Sequence, residues 1–196
     1  MKYIVGIDEV GRGPLAGPVT VCVVFCETNL YKKLKKDKRL PAVGLDSKKL
    51  STKNREKYAK ILKYIGLAYV VVSVSNKTID EKGISFCIKK TMVEGIKKLK
   101  LNPKNCEILL DGGLKAPMEF KKQKTIIKGD EKEKIIAWAS ILAKVSRDTL
   151  MCRLAKKYPK YGFAENKGYG TLSHRKAIKK YGLSAVHRKS FCKNLT

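Results

Sequence analysis

Short apolar runs rich in β-branched residues recur along the chain and predict strands. Segments rich in polar and turn-forming residues separate most of these runs, as expected where strands end. The runs that we interpret as strands are residues 3–7, 19–25, 67–74, 107–110 and 124–127.

Longer stretches between and after these runs carry apolar residues at helical spacing. Residues 51–65 open with a serine suited to cap a helix, and residues 84–99 repeat apolar side chains on one helical face. Further helices are predicted at residues 131–154 and 172–181. Because the strands come early and the helices late, the pattern favours an α/β fold. We expect a central mixed sheet flanked by helices, with a helical C-terminal portion packed on it.

A chain of 196 residues is long enough for one well-buried core but short for two, and 43% apolar residues is ordinary for a globular protein. No internal repeat and no domain-length linker is evident. We therefore expect a single domain over residues 1–196, in which residues 155–196 form a basic, mostly helical C-terminal portion.

The charge balance changes the picture, because 44 Lys and Arg residues against 17 Asp and Glu residues give a formal net charge of +27. Such a field favours a polyanionic partner, and phosphate backbones are the commonest one. A lysine-biased genome or a ribosomal-type protein is the alternative. An anionic membrane surface is less favoured, since no long basic amphipathic segment stands out. The lysine-rich segment 29–41 is interpreted as a solvated loop or short helix, with nucleic-acid contact as the alternative.

The first apolar run is too short for the core of a signal peptide, and no later stretch approaches membrane-spanning length. These features predict a cytoplasmic protein with no membrane partner. The six cysteines include no C-x-x-C pair, and we interpret them as reduced core thiols. Zinc would need clustered thiols or histidines, and His174 and His187 lie far from any cysteine pair. Neither zinc nor an organic cofactor is expected.

Acidic residues are scarce in this chain, and four of them closely follow predicted strands. Asp8 and Glu9 come after the first strand, Asp111 after the fourth, and Asp130 after the fifth. Ligands gather beyond strand ends in open sheets, and a divalent cation offsets the repulsion between carboxylates held close together. Oxygen ligands without nearby histidine or cysteine suit Mg²⁺ or Mn²⁺. The four positions therefore predict a metal site.

Each carboxylate also has an ordinary structural interpretation. Any one of the four could be a strand-terminating turn residue, and Asp130 could cap the helix predicted after it. Alternation would point the two adjacent carboxylates to opposite faces, unless a strand end or bulge redirects them. Asp46 and Asp148 are left out of the metal set as turn and ion-pair residues, Asp148 because it follows Lys144 by one helical turn.

The string GIDEVGRGPLAGPV at residues 6–19 resembles the opening signature of ribonuclease HII and is highly specific. Further segments resemble the same family in the same order along nearly the whole chain. They are DSKKL at 46–50, LDG at 110–112, KGD at 128–130, ASILAKVSRD at 139–148, KGYGT at 167–171 and HRKSF at 187–191. Arg12 between two glycines separates the chain from type HIII enzymes, which usually carry lysine there and have an extra N-terminal domain.

The resemblance implies the ribonuclease H-like fold, a five-stranded mixed sheet with helices on both faces and a helical C-terminal part. It implies that the catalytic, metal-binding carboxylates are those found at the strand ends, namely Asp8, Glu9, Asp111 and Asp130. It also places Lys48, Lys144 and Ser140 near the phosphates of the substrate. The activity implied is hydrolysis of the RNA strand of RNA–DNA hybrids, and cleavage 5′ of ribonucleotides embedded in duplex DNA.

Carboxylates without paired catalytic histidines favour hydrolysis with two metal ions, which yields 3′-hydroxyl and 5′-phosphate ends. Recognition of a single 2′-hydroxyl needs close approach of the backbone, and Gly11, Arg12 and Gly13 are placed for that. Tyr169 matches the position of the family's junction tyrosine, which would stack on the next deoxyribose. A turn tyrosine that shields the core is the alternative.

Three rival functions remain at this point. A metal-free nuclease would need an acid and a base, for which His174 and His187 are the candidates. The others are a non-catalytic nucleic-acid binder and another nuclease on the same fold, such as a resolvase. Residues 190–196 show no clamp-binding peptide, so no clamp partner is expected, and a monomer is the default. Basic residues expected to contact duplex phosphates are Lys167, Arg175, Lys176, Lys179, Lys180, Arg188, Lys189 and Lys193.

Overall fold

The computed structural model describes residues 1–41, 50–65 and 67–195. The strands within these residues are β1 (Tyr3–Val10), β2 (Val19–Glu27), β3 (Ala68–Val74), β4 (Cys106–Asp111) and β5 (Gln123–Ile126). They form one sheet in the order β3-β2-β1-β4-β5. The pairs β1–β2 and β2–β3 are antiparallel, and the pairs β1–β4 and β4–β5 are parallel. The predicted five-stranded mixed sheet is therefore confirmed.

Strand β1 runs further than predicted, through Asp8 and Glu9 to Val10. Its antiparallel pairing with β2 continues to the end of the strand. Its parallel pairing with β4 stops at Ile7, which lies opposite Leu110. The last part of β1 thus extends beyond its pairing with β4, and the sheet is open there on one side of the two carboxylates.

Helices surround this sheet, and the predicted serine cap is confirmed because the Ser51 hydroxyl accepts a hydrogen bond from the Asn54 amide. The segment rich in lysines begins as a short helix that buries Tyr31. The helices are α1 (Thr28–Leu34), α2 (Thr52–Tyr64), α3 (Asn76–Lys82), α4 (Ile84–Lys98), α5 (Gly129–Lys132), α6 (Lys134–Lys157), α7 (Phe163–Asn166) and α8 (Leu172–Tyr181), with 3-10 turns at Pro159–Tyr161 and Lys189–Phe191.

The continuous helix predicted from residue 131 to 154 is wrong at its start. The backbone at Glu133 is extended, with φ −126° and ψ 120°, and it separates the single turn α5 from the long helix α6. Lys128 before the turn is left-handed, with φ 54°. The chain therefore changes direction twice between β5 and α6, and the turn between these points carries Asp130.

Two apolar clusters cover the two faces of the sheet. On one face, Ile88, Met92 and Ile96 of α4 pack against buried residues of β1, β2 and β4. Helices α2 and α6 cover the other face, where Trp138 is fully buried. Each large side chain buried in this way contributes roughly 1.5–3 kcal/mol. Five of the six free cysteines are buried in the structure, and Cys152 is the exposed exception to the prediction of core thiols.

The C-terminal portion forms a third cluster that includes Ala16, Met151 and Phe163. A β-bridge between Ala16 and His187 joins it to the loop that follows β1. The C-terminal residues therefore pack against the loop between β1 and β2, beside the carboxyl end of the central strand. No helix in the described part of the chain is both long and apolar enough to span a membrane.

Candidate active site

The four predicted carboxylates line one cavity of about 260 Å³. Asp8 and Glu9 come from the part of β1 that extends beyond its pairing with β4, Asp111 from the end of β4, and Asp130 from the turn α5. The carboxyl ends of parallel strands share one edge of a sheet, which explains why residues so distant in sequence meet here. The other lining residues are Val10, Gly11, Arg12, Gly13, Ser140, Lys144 and Tyr169.

Asp8 is a buried acid of the cavity, with 5% of its surface exposed. Burial raises the pKa of Asp8 well above its ordinary value, and the charge of Glu9 raises it further. Asp111 and Asp130 act in the same direction, while a hydrogen bond with Ser140 partly offsets the rise in pKa. A cation at this place would stabilise the ionised form of the carboxylate.

Asp111 is tied to the turn that carries Asp130. Its Oδ1 atom accepts a hydrogen bond of 2.6 Å from the Gly129 amide. A Cβ atom at Gly129 would come within 2.7 Å of Ile136 Cδ1, so a larger residue there would have to displace that side chain. Asp130 lies inside the turn and Lys128 occupies the capping position, so the alternative in which Asp130 caps the following helix is wrong. The two carboxylates reach the cavity together.

The chemistry of the donor set fits a hard divalent cation, because the acidic lining atoms are all carboxylate oxygens. In the described residues, no three His, Cys, Asp or Glu side chains are already drawn together as a metal cage. An ion shared by the carboxylates would therefore require them to lie closer together. Burial and, to a smaller extent, repulsion between the carboxylates raise the pKa of Asp8, and a bound ion would offset both effects.

The loop that follows β1 forms one wall of the cavity, and a buried arginine binds its main-chain carbonyls. The side chain of Arg188, whose exposure is 0%, donates hydrogen bonds to the carbonyls of Gly11, Arg12 and Gly17 at 2.6, 3.0 and 3.0 Å. Gly11 has φ +90°, and a Cβ atom there would lie 2.4 Å from Arg147 Nε. Around Gly13, by contrast, a Cβ atom would meet nothing within 4 Å. Gly11 thus serves the internal packing, and Gly13 leaves the cavity side open.

Arg147 joins this loop to the segment that carries Tyr169. Its guanidinium, 1% exposed, donates to the carbonyls of Pro18, Ala16 and Lys167 at 3.0, 3.1 and 2.9 Å. The amides of Leu15 and Ala16 both donate to the Gly168 carbonyl. The glycine-rich loop and the tyrosine segment are therefore held to each other.

The Tyr169 ring lies at the rim of the cavity with 40% of the residue exposed. Lys144 Nζ is 5.6 Å from the ring centroid, and Arg147 Cζ is 5.9 Å from it. The tyrosine ring is therefore partly exposed and lies against two cations, one of which is the buried Arg147.

Lys144 lines the same cavity and forms the ion pair that the sequence predicts with Asp148, at 2.9 Å. Arg55 lies 4.0 Å from the other oxygen of Asp148. Burial lowers the pKa of Lys144, and the hydrogen bond with Asp148 partly restores it. Asp148 is thus an ion-pair residue beside the cavity, as predicted. Lys48, also predicted near the phosphates, lies outside the described residues.

The two histidines meet, but away from the cavity. His174 Nε2 and His187 Nε2 are 3.0 Å apart, and the residues are 0% and 1% exposed among the rings of Tyr161 and Phe163. Burial lowers the pKa of both imidazoles, for His187 to about 4. A buried pair of this kind has no access to a phosphodiester, which counts against the metal-free mechanism.

The sequence did not indicate the roles of Arg147 and Arg188. Arg188 was expected among the basic residues that contact duplex phosphates, and the structure contradicts this because its guanidinium is buried against carbonyl oxygens. The available signal was that both arginines lie within segments that resemble the family. The four carboxylates and the predicted residues Gly11, Arg12, Gly13, Ser140, Lys144 and Tyr169 all line one cavity.

Known proteins share this sequence and architecture. The family model of ribonuclease HII matches residues 5–194. Ribonuclease HII of Clostridium beijerinckii is 45% identical over 194 residues, which are 99% of this chain and 69% of that protein. Ribonuclease HII of Caldicellulosiruptor bescii is 43% identical over 99% of this chain and 88% of its own length.

Solved structures agree with the sequence match. Ribonuclease H2 from Pyrococcus horikoshii OT3 superposes with a TM-score of 0.78 at 26% identity, covering 98% of this chain and 96% of that one. Ribonuclease HII from Archaeoglobus fulgidus, solved in complex with PCNA, gives 0.74 at 28% identity, covering 95% and 93%. The chain belongs to the ribonuclease HII family, metal-dependent endoribonucleases that act on the RNA strand of RNA–DNA hybrids.

Proposed function

We propose that this enzyme cuts on the 5′ side of ribonucleotides embedded in duplex DNA, as well as within longer RNA tracts of hybrids. The observation that carries the proposal is the single cavity that combines four carboxylates with the Gly11–Gly13 loop and Tyr169. The carboxylates provide for hydrolysis, and the loop and the ring provide for recognition. One site can therefore couple cleavage to the detection of a 2′-hydroxyl.

Asp8, Glu9, Asp111 and Asp130 are proposed to hold two Mg²⁺ or Mn²⁺ ions. When bound, such a pair supplies an activated water and stabilises the leaving oxygen, which gives 3′-hydroxyl and 5′-phosphate ends. Ser140 orients the Asp8 carboxylate through their hydrogen bond. Lys144, which lines the cavity, is proposed to contact a phosphate beside the scissile bond, and Lys48 is proposed to do the same.

Recognition is proposed to depend on the backbone of the loop and on the aromatic ring. Gly13 has open space around it, so a sugar can approach the main chain closely. The exposed Tyr169 ring, which lines the same cavity, is proposed to stack on the deoxyribose that follows the ribonucleotide, where a 2′-hydroxyl would clash.

The test is cleavage of three labelled duplexes by the purified protein: DNA with one ribonucleotide, an RNA–DNA hybrid and DNA alone. With Mg²⁺ or Mn²⁺ we expect cleavage of the first two, with products whose 3′ ends a polymerase can extend. Chelator should abolish the activity. Cleavage of the hybrid but not of the single ribonucleotide would refute the embedded-ribonucleotide activity, and tight binding without any cut would support a non-catalytic binder.

A further inference from the structure

Arg188 is a buried cation whose hydrogen-bond partners are all neutral. The three hydrogen bonds of its guanidinium go to main-chain carbonyls, and burial lowers the pKa of this group to about 10. Within the described ranges, no carboxylate lies at ion-pair distance from it. Burying a charge without a countercharge costs free energy. A general need for positive surface charge therefore does not explain why Arg188 is buried against these carbonyls.

The bonds of Arg188 determine which way two peptide groups face. A trans peptide points its carbonyl and its amide hydrogen in opposite directions, and the described chain contains no cis peptide. Since the Gly11 and Arg12 carbonyls point inward to Arg188, the amides of Arg12 and Gly13 point the other way. Both residues are exposed and both line the cavity with the carboxylates.

These two amides are free donors in the structure. Among residues 1–41, 50–65 and 67–195, neither the Arg12 nor the Gly13 amide donates a hydrogen bond, whereas Leu15 and Gly17 in the same loop do. Two adjacent free amides beside the predicted metal site can donate to one oxygen atom of a bound sugar. Their direction depends on the two carbonyls that Arg188 holds.

We propose that Arg188 is a positioning residue for recognition of the 2′-hydroxyl. It turns the Gly11 and Arg12 carbonyls inward, so that the Arg12 and Gly13 amides donate to the 2′-oxygen of the ribonucleotide. The inference rests on the proposed function and adds a residue that never touches the substrate. Arginine suits this role because its planar fork bonds several carbonyls at once, and the single ammonium of lysine cannot reproduce that geometry.

The experiment measures binding rather than cleavage, in an Asp8→Asn background that does not cut. Affinities are compared for two duplexes of the same sequence, one with a single ribonucleotide and one of DNA alone. Arg188→Lys should reduce the preference for the ribonucleotide by about three- to tenfold for each amide hydrogen bond that is removed, with unchanged affinity for DNA. A reduction shared equally by both duplexes would mean a merely structural role and would overturn the proposal.

Asp80→Ala is the matched control. The Asp80 carboxylate accepts hydrogen bonds from the amides of Lys189 and Ser190, so its removal loosens the same C-terminal turn from outside. It does not reach the loop carbonyls, and the ribonucleotide preference should persist. Loss of that preference in Asp80→Ala to the same degree as in Arg188→Lys would overturn the proposal.

A second measurement covers the case in which Arg188→Lys does not fold. In the Asp8→Asn protein, the amide resonances of Arg12 and Gly13 should shift differently with the ribonucleotide duplex and with DNA alone. Identical shifts would overturn the inference. If the Asp8→Asn protein binds both duplexes equally, the proposed recognition of the ribonucleotide by this loop is refuted. If the preference for the ribonucleotide survives Arg188→Lys, only the role of Arg188 is refuted.

Discussion

Asp8 gives the sharpest prediction at the scale of single residues. Asp8→Asn removes a proposed metal ligand, so turnover should fall by several orders of magnitude in the presence of Mg²⁺. Without divalent metal, the same change should raise stability at neutral pH. The pKa of Asp8 is raised in the folded state, so its stabilising contribution is lost as pH rises through that pKa, and the ionised group is a penalty above it.

Activity assays and thermal melting with chelator check both parts of the Asp8 prediction. Asp37→Asn removes one negative charge at a residue that does not line the cavity and whose pKa is lowered to about 2 by Arg39. This control should keep full activity and gain no stability. Near-normal turnover of purified Asp8→Asn would refute the metal assignment, and a lower melting temperature with chelator would refute the repulsion argument.

Tyr169 gives the second prediction. Tyr169→Ala should lose roughly five- to a hundredfold more activity on a single embedded ribonucleotide than on a long RNA–DNA hybrid, since the proposed stacking interaction at the junction is removed. Tyr169→Phe keeps the flat ring and should retain most of the activity on both substrates. Equal losses on both substrates in Tyr169→Ala would mean that the ring is structural and that the junction is sensed elsewhere.

The residues of the site were predictable to different degrees. The carboxylates could be found from the sequence because each follows an apolar strand, a local pattern that places Asp8 and Asp111 at one edge of a parallel pair. Arg188 could not be found in this way. Its partners Gly11 and Arg12 lie more than 170 positions away, and a basic residue in a basic tail indicates a surface charge.

At the scale of elements, all five strands and the main helices were predictable, because each has its own periodicity. The break between α5 and α6 was not, because residues 131–154 keep a pattern that a helix could accommodate. Contacts with other parts of the folded chain override that local pattern. Asp111 binds the Gly129 amide, and this contact orders the turn that brings Asp130 into the cavity.

Helix α8 gives a prediction of its own. Its buried face carries His174 and Ile178, while Arg175, Lys176, Lys179 and Lys180 are all exposed. Replacing these four basic residues by Gln should weaken binding of every duplex evenly, because phosphate contacts position a protein without reading sequence. The slope of log affinity against log salt should become shallower by about one unit for each phosphate that the helix no longer neutralises.

Four other exposed lysines provide the control for α8: Lys97, Lys98, Lys100 and Lys104. They precede β4, at the end of the parallel strands opposite the carboxylates. Their replacement removes the same charge and should leave the salt slope nearly unchanged. Equal effects of the two sets would mean that only net charge matters, and an unchanged slope in the α8 variant would mean that this face is merely solvated.

At the scale of the whole molecule, the C-terminal portion is built into the site rather than attached to it. Arg147 and Arg188 together donate six hydrogen bonds to carbonyls, five of them in the loop from Gly11 to Pro18. The helical C-terminal portion was predictable, but this dependence was not, since it exists only once the chain has folded. Destabilising the third cluster should therefore disturb the cavity wall as well.

The buried pair His174 and His187 makes the stability of the third cluster depend on pH. His174 Nδ1 faces the Tyr169 carbonyl at 2.8 Å and must donate to it, so His174 Nε2 accepts from His187. His187 Nδ1 in turn accepts from the Ser184 amide at 2.9 Å. Every ring nitrogen is thereby used with both imidazoles neutral. A further proton would place two N–H groups against each other, which agrees with the lowered pKa of both residues.

The sign of the pH dependence follows. Well above pH 6.5 the histidines are neutral in the folded and unfolded states, so they do not change the free energy of unfolding with pH. Between 6.5 and about 4, the unfolded chain takes up a proton at His187 that the folded one excludes, so stability should fall by up to about 1.4 kcal/mol per pH unit.

Urea unfolding in the Asp8→Asn background checks this, because the opposing titration of Asp8 is then absent. Asp37 does not interfere, since its pKa of about 2 moves its effect below this window. His187→Asn should flatten the slope, and the same slope in that variant would mean that the carboxylates, not the histidine pair, control acid stability.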